Sequence, residues 1–288
     1  MAEEERKIIP SIIKENILEL LKEEKRIDGR KLFEFRKLRI IPGPIEKAEG
    51  SALVLLGNTK VLVGVKMSLG KPFPDTPNEG VLVVNAEFQP VASPYWELGP
   101  NEYAIELARV VDRAIRSSGM VALDELVIHP GELCWVINVD IYPIDDNGNL
   151  IDTALIGAVA ALLTTRVPEI DFSSGKPQLK REEGKPLPIR DIPISCTFAK
   201  IGEQMVLDPN KQEECLMSAR LTIAVNSANE ICTIQKMKGG GFTIDDIIRA
   251  KDITIQKAKD LRREIQKQVA EKARGEEIWK EIREVLTS

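Results

Sequence analysis

Apolar residues recur along this chain with two periods. Ile8, Ile9, Ile12, Ile13, Ile17, Leu18, Leu20 and Leu21 stand at helical spacing, with Ser11 placed as an N-cap. That pattern predicts an amphipathic leading helix that must dock on something. An Asp28-Gly29-Arg30 turn follows, then strand-like runs over Leu38 to Ile41, Ala52 to Leu56, Val61 to Met67 and Val81 to Phe88. Gly57-Asn58-Thr59-Lys60 reads as a hairpin connection and the Pro-rich stretch Lys71 to Asn78 as a loop.

From Asn101 the period becomes helical, with Ile105, Leu107, Ala108, Val111, Ala114 and Ile115 apolar and Gly119 as the stop. Leu133 to Ile144 predicts a buried strand, Asp145 to Asn149 a turn, and Ala154 to Leu163 a helix packed through small residues. Between Pro168 and Pro193 periodicity gives way to Pro, Gly, Ser and charge, which predicts a connection between two halves. Ile194 to Lys200, Met205 to Leu207, Leu221 to Val225 and Ile231 to Gln235 read as strands, and a long charged helix runs from about Thr243. Strands come in runs followed by helices in both halves. The expected class is therefore α+β with mixed or antiparallel sheets, and an alternating Rossmann pattern is disfavoured. The expected division is a leading helix over 1–26, a first half over 27–167, the connection over 168–193 and a second half with the C-terminal helix over 194–288.

Composition narrows the chemistry. Of 288 residues 43% are hydrophobic and 30% charged, an ordinary globular balance. The 40 Lys+Arg and 45 Asp+Glu leave a net charge of −5, so any basic site must be local. The one histidine, His129, and the scattered Cys134, Cys196, Cys215 and Cys232 exclude most Ser/His/Asp, Cys/His and zinc arrangements. No cofactor or metal is expected. The acidic, polar start from Met1 to Lys7 is unlike a signal peptide, and the uncharged stretch Thr153 to Thr165 falls well short of the roughly 20 apolar residues that span a bilayer. A cytoplasmic protein with buried thiols is the expectation.

Three further patterns reduce to structure. Gly239-Gly240-Gly241 matches neither a P-loop nor a dinucleotide fingerprint and reads as a loop tip or helix approach. Asp145, Asp146, Asn147 and Asn149 lack EF-hand spacing and read as a turn. The run with Arg262, Arg263, Glu264, Lys267, Glu271, Lys272 and Arg274 reads as a solvated helix face. Arg109, Arg113 and Arg116 are different: at i, i+4 and i+7 they project from one helix face, with Asp112 the acid among them. Guanidinium forks at that spacing suit phosphates, and the scarcity of aromatics nearby would make such contact indifferent to base sequence. Pairing with acids elsewhere or on a partner is the other reading, and spacing does not decide between them.

Several segments, in order, resemble the RNase PH family: Asp28-Gly29-Arg30 with Glu34 and Arg36; Gly50-Ser51-Ala52 through Gly57-Asn58-Thr59 to Val61; and Asp140 through Asp146-Asn147-Gly148 into Ala154-Leu155-Ile156-Gly157-Ala158. The resemblance covers nearly the whole chain and implies the RNase PH fold. Asn101 to Arg113 and Lys71-Pro72 with Asp75-Thr76-Pro77-Asn78 are more similar still to the non-catalytic RNase PH-type subunit of the archaeal exosome core. This implies a hexameric ring, a trimer of heterodimers with a catalytic RNase PH-type partner. Single-stranded RNA would be threaded through it and shortened 3′ to 5′ by phosphate attack, beneath RNA-binding cap proteins.

In active members of the family a Gly-Gly-Thr/Ser-Arg turn cradles phosphate. The matching stretch here is Gly148-Asn149-Leu150-Ile151-Asp152, where apolar side chains replace the hydroxyl and the arginine and Asp152 is expected to repel phosphate. Tyr103-Ala104 stands where active members carry Arg-Ser. The catalytic acid falls on Glu214 and a second family acid on Arg220. The resemblance thus implies a subunit with no catalytic residue that is silent alone. Arg109 and Arg113 would contact RNA in the channel, and Arg116 shares their face farther along. A pure assembly scaffold without RNA contact, or a weakly active exoribonuclease using Glu214, are the alternatives.

Overall fold

The computed structural model describes residues 11–171, 173 and 178–271. The leading helix α1, Ser11–Lys22, buries Ile17 and Leu21 against Leu32, Ala199, Ile201, Val206 and Met217. Ser11, expected as the cap, is itself helical, and Ile8 and Ile9 lie outside the described residues, as do Lys272 and Arg274 of the C-terminal charge run.

Two sheets carry the fold. The first is built from β1 (Leu38–Pro42), β2 (Gly50–Leu56), β3 (Thr59–Gly70), β4 (Val81–Ala86), β5 (Val127–His129) and β6 (Leu133–Asp145), in the order β1-β2-β3-β6-β4 with β5 also on β6. All its pairs are antiparallel except β4 with β6. Gly57 and Asn58 close the β2–β3 hairpin as a two-residue turn, since Leu56 faces Thr59 and Gly57 has φ 56°. The second sheet, β9 (Ile194–Ile201), β10 (Gln204–Leu207), β11 (Ala219–Val225) and β12 (Ile231–Met237), runs β10-β9-β11-β12, antiparallel throughout.

Helix α2, Glu102–Ser118, is amphipathic, and both of its ends match the sequence reading. Asn101 Oδ1 accepts from the Tyr103 and Ala104 amides at 2.9 and 3.3 Å, and Gly119 closes the other end in the left-handed conformation. It buries Leu107, Val111, Ala114 and Ile115, while Ile105, expected inside, is 56% exposed. Helix α3, Leu150–Thr164, is apolar all the way round and is buried from Leu150 to Leu162 between the sheets. Small residues permit this depth: a Cβ on Gly157 would stand 2.7 Å from a Val63 methyl. The helix starts four residues before the predicted Ala154.

The stretch predicted as a plain connection contains a hairpin, β7 (Arg166–Asp171) with β8 (Gln178–Pro186). Its strands find their hydrogen bonds in each other, which no local period signals. Beyond Asn210 a short helix α4, Lys211–Leu216, carries a capping box in which Asn210 and Glu213 serve each other. The last helix, α5, Ile244–Ala270, starts at its own capping box on Thr243 and lays Ala250, Thr254, Ala258, Leu261 and Ile265 on the second sheet. Near its far end Gln268 turns to the outer edge of β1, accepting the Ile40 N–H at 2.6 Å and donating to the Leu38 carbonyl at 3.3 Å. No helix among the described residues is long and apolar enough to cross a membrane. Cys134 and Cys196 are buried, Cys215 and Cys232 half-buried, and none of the four forms a disulfide among the described residues.

Candidate functional site

The turn between β6 and α3 is held from three directions. Thr59 Oγ1 donates to the Gly148 carbonyl at 2.7 Å, and Arg36 reaches the Asn147 and Gly148 carbonyls at 2.9 and 3.0 Å. Gly148 has φ 85° and sits so close to the Pro209-Asn210-Lys211 backbone that a Cβ would lie 2.6 Å from the Asn210 carbonyl carbon. The motif residues that flagged the family thus act as a scaffold. Asp208, fully buried, accepts from Arg30 Nη1 at 2.9 Å and from Arg36 Nη2 and Nε at 2.8 and 2.9 Å. Arg26 is equally buried and pairs with Glu213 through Nε at 2.8 Å and Nη2 at 2.5 Å. Three arginines from the N-terminal 36 residues, Arg26, Arg30 and Arg36, therefore clamp two acids of the second half.

Asn149 completes the turn with φ 54°, a left-handed conformation that asparagine tolerates. Its Nδ2 donates to Asp152 at 2.9 Å and Asp208 at 2.7 Å, while its Oδ1 is buried with no hydrogen-bond partner among the described residues and makes no side-chain cap on α3. Asp152, expected to face and repel phosphate, does not face the turn's open side. It is fully buried and accepts from Ser195 Oγ, the Thr197 amide and Thr197 Oγ1 at 2.6, 2.8 and 2.9 Å. Burial pushes its carboxyl upward, opposed by those hydrogen bonds.

What does face the turn is Glu214. Its Oε1 accepts the Asn149 backbone N–H, at the start of α3, at 2.8 Å. Helix N-termini attract anions through such free amides and the helix dipole. Here an internal carboxyl group takes that amide. Burial is the main cause pushing Glu214 above its ordinary range, aided by Asp146 and opposed by Lys211 and Arg220. The cations nearby are themselves engaged: Lys211 closes on Asp146, and Arg220 Nη1 donates to Tyr103 Oη at 2.9 Å with Glu106 3.8 Å away. Tyr103 is pushed up to about 12, mainly by burial. Sequence reasoning named Glu214, Arg220 and Tyr103 but missed Lys211. The Asn210-x-x-Glu213 capping box was the available signal for the helix that positions it.

The predicted arginine stripe divides. Arg109 and Arg113 are exposed on the outer face of α2, Arg109 with no hydrogen bond or ion pair among the described residues and Arg113 within 3.5 Å of Gln235 Oε1. Arg116 is tied down, paired with Asp112 at 2.8 Å and bonded to the Leu82 carbonyl at 3.0 Å.

Two α/β halves of this topology, joined across an Arg–Asp clamp at a glycine turn, define an RNase PH fold. The chain matches the 3′ exoribonuclease family in both its parts, domain 1 over residues 34–168 and domain 2 over 191–257, and it belongs to that family. It is 48% identical over 258 residues to the exosome complex component Rrp42 of Pyrococcus furiosus, covering 89% of this chain and 93% of that protein. A chain of the Archaeoglobus fulgidus exosome with RNA bound to the active site superimposes with TM-score 0.82 at 44% identity, over 88% of this chain and 98% of that one. A chain of an archaeal exosome core does so with TM-score 0.79 at 42% identity, over 89% and 97%.

Proposed function

We propose that this chain is a non-catalytic subunit of an exosome core ring in the cytoplasm. It would alternate with a catalytic RNase PH-type partner in a trimer of heterodimers beneath RNA-binding cap proteins. Its own contribution is to hold single-stranded RNA by its phosphates through Arg109 and Arg113 and to shape the partner's site for 3′-to-5′ phosphorolysis. Its relatives carry the exosome name, and the solved exosome it resembles holds RNA.

The observation that carries the silent reading is the Glu214–Asn149 hydrogen bond. Phosphorolysis needs an open anion cradle and an acid free to give a proton to the leaving oxygen. One contact engages both: the carboxyl occupies the amide that a phosphate would use. Arg116 belongs to the stripe by spacing only, since Asp112 and the Leu82 carbonyl already engage it.

The test is to mix this chain with a catalytic partner and follow RNA shortening in phosphate buffer against each subunit alone. Activity confined to the mixture is expected. Phosphate-dependent release of nucleoside diphosphates by this chain alone would overturn the reading.

A further inference from the structure

The turn that carries the clamp contains the chain's only Asn-Gly step, Asn147-Gly148. Asparagine is thermolabile, and its loss runs through the backbone nitrogen of the next residue, which attacks the side-chain Cγ. The residue after asparagine therefore decides how easily the attack is reached. Glycine, with no Cβ and the widest backbone freedom, obstructs it least. In the unfolded chain this step is the most reactive of the asparagine positions.

The fold holds that same peptide bond at both ends. The Asn147 carbonyl accepts from Arg36 Nη1 at 2.9 Å, and the Gly148 N–H donates to Asp146 Oδ1 at 3.1 Å. The next peptide is fixed as well, its carbonyl by Arg36 Nη2 at 3.0 Å and Thr59 Oγ1 at 2.7 Å, its N–H by Glu214 at 2.8 Å. To attack, the Gly148 nitrogen must lose its proton and turn toward the Asn147 side chain. A carboxylate acceptor strengthens the bond that keeps the proton in place, and the arginine bonds stop the plane from turning. Arg36 is itself anchored on buried Asp208.

We infer that Asn147 is a modification site gated by the Arg36–Asp208 clamp, shut in the folded chain and converted to aspartate and isoaspartate when the turn opens. In the first step the Gly148 nitrogen bonds to Asn147 Cγ while the Cγ–Nδ2 bond breaks, and ammonia leaves with the proton that the nitrogen gives up. Water then opens the cyclic imide at either carbonyl. One product is aspartate; the other is isoaspartate, in which the backbone runs through the side-chain carbon. Isoaspartate lengthens the turn by a methylene and makes the carbonyl that Arg36 holds into a free carboxylate. The turn has no room for it, since even a Cβ on Gly148 would stand 2.6 Å from the Asn210 carbonyl carbon. An isoaspartate chain cannot rebuild the turn. This holds whether or not the chain is a ring subunit.

The test incubates the full chain in one mildly alkaline buffer, with and without unfolding urea, and follows each asparagine by site-resolved mass spectrometry. Conversion at Asn147 is expected in urea ahead of every other asparagine. In the folded chain it should be at least about tenfold slower, since reaction there waits on opening of the turn. Arg36→Lys keeps a cation beside Asp208 but loses the fork that spans the Asn147 and Gly148 carbonyls, and should raise the folded chain's rate about tenfold. Circular dichroism shows whether that variant is folded. If it is not, wild-type chain in urea below its transition takes its place, and its rate should climb before the far-UV signal changes. After return of aged chain to native buffer, isoaspartate should be confined to the chains that fail to refold. Equal rates with and without urea, faster conversion of another asparagine in urea, or isoaspartate in the refolded fraction would each overturn the assignment. So would a folded Arg36→Lys chain as slow as wild type, or a rate that stays flat below the transition.

Discussion

Glu214 and Asn149 lie 65 positions apart and are joined at 2.8 Å, carboxylate to backbone amide, where the sheet passes into the central helix. Burial holds this carboxyl above its ordinary 4.5, so the folded chain keeps its proton more readily than the unfolded one. Stability from such a group is complete below the ordinary carboxylate range and is lost as pH rises through the raised folded value. Glu214→Gln has no proton to lose. Relative to wild type, the variant should therefore gain stability as pH rises from about 4 to 8, in urea unfolding at each pH. Parallel curves would show that the group is unshifted.

Asp208 should be the most costly single loss in the clamp. It is wholly buried between Arg30 and Arg36, and Asp208→Ala takes the carboxylate from the Arg36 guanidinium and leaves Arg30 with Asp28. Breaking one side of a buried pair costs about 3–5 kcal/mol. The urea midpoint should fall accordingly, and a change below about 1 kcal/mol would mean the clamp is solvent-relieved.

Replacing Arg109 and Arg113 together with Glu should weaken RNA binding by the assembled ring. Each phosphate contact to a single strand contributes about 0.7 to the slope of log affinity against log salt, so the slope should drop by about 1.4. Arg116→Glu should do much less, because Asp112 already takes that charge. Lost ring assembly with intact RNA affinity would instead assign the pair to a subunit interface.

Gly148→Ala tests the turn itself. With φ 85° and an added Cβ 2.6 Å from the Asn210 backbone, the variant meets strain and a clash that only backbone movement relieves. A loss of about 1–3 kcal/mol is expected by thermal or urea unfolding. An unchanged midpoint would show that the α4 lead-in yields freely.

What was legible in the sequence was what local chemistry decides. Asn101 and Gly119 marked both ends of α2 because caps act on amides and carbonyls a few residues away. The start of α3 was misplaced because Asn149 gives its side chain to Asp152 and Asp208 and leaves no cap to read. The β7–β8 hairpin escaped because its partner strands, not a period, make it. Asp152 was read by residue type as an obstacle to phosphate, while its hydroxyl and amide partners come from β9, across the fold. The arginine face was legible as a face. That Arg116 also bonds the Leu82 carbonyl was not, since that carbonyl comes from β4.

The side chain of Gln268 on the β1 edge has a consequence for growth of the first sheet. An unpaired strand edge is a template on which another strand can add. Here one amide side chain occupies the outward groups of Leu38 and Ile40, so an incoming strand would first have to displace a helix already packed on its own core. Lateral addition to the described sheets is thereby directed away from that border, toward β4 in the first sheet and β10 or β12 in the second.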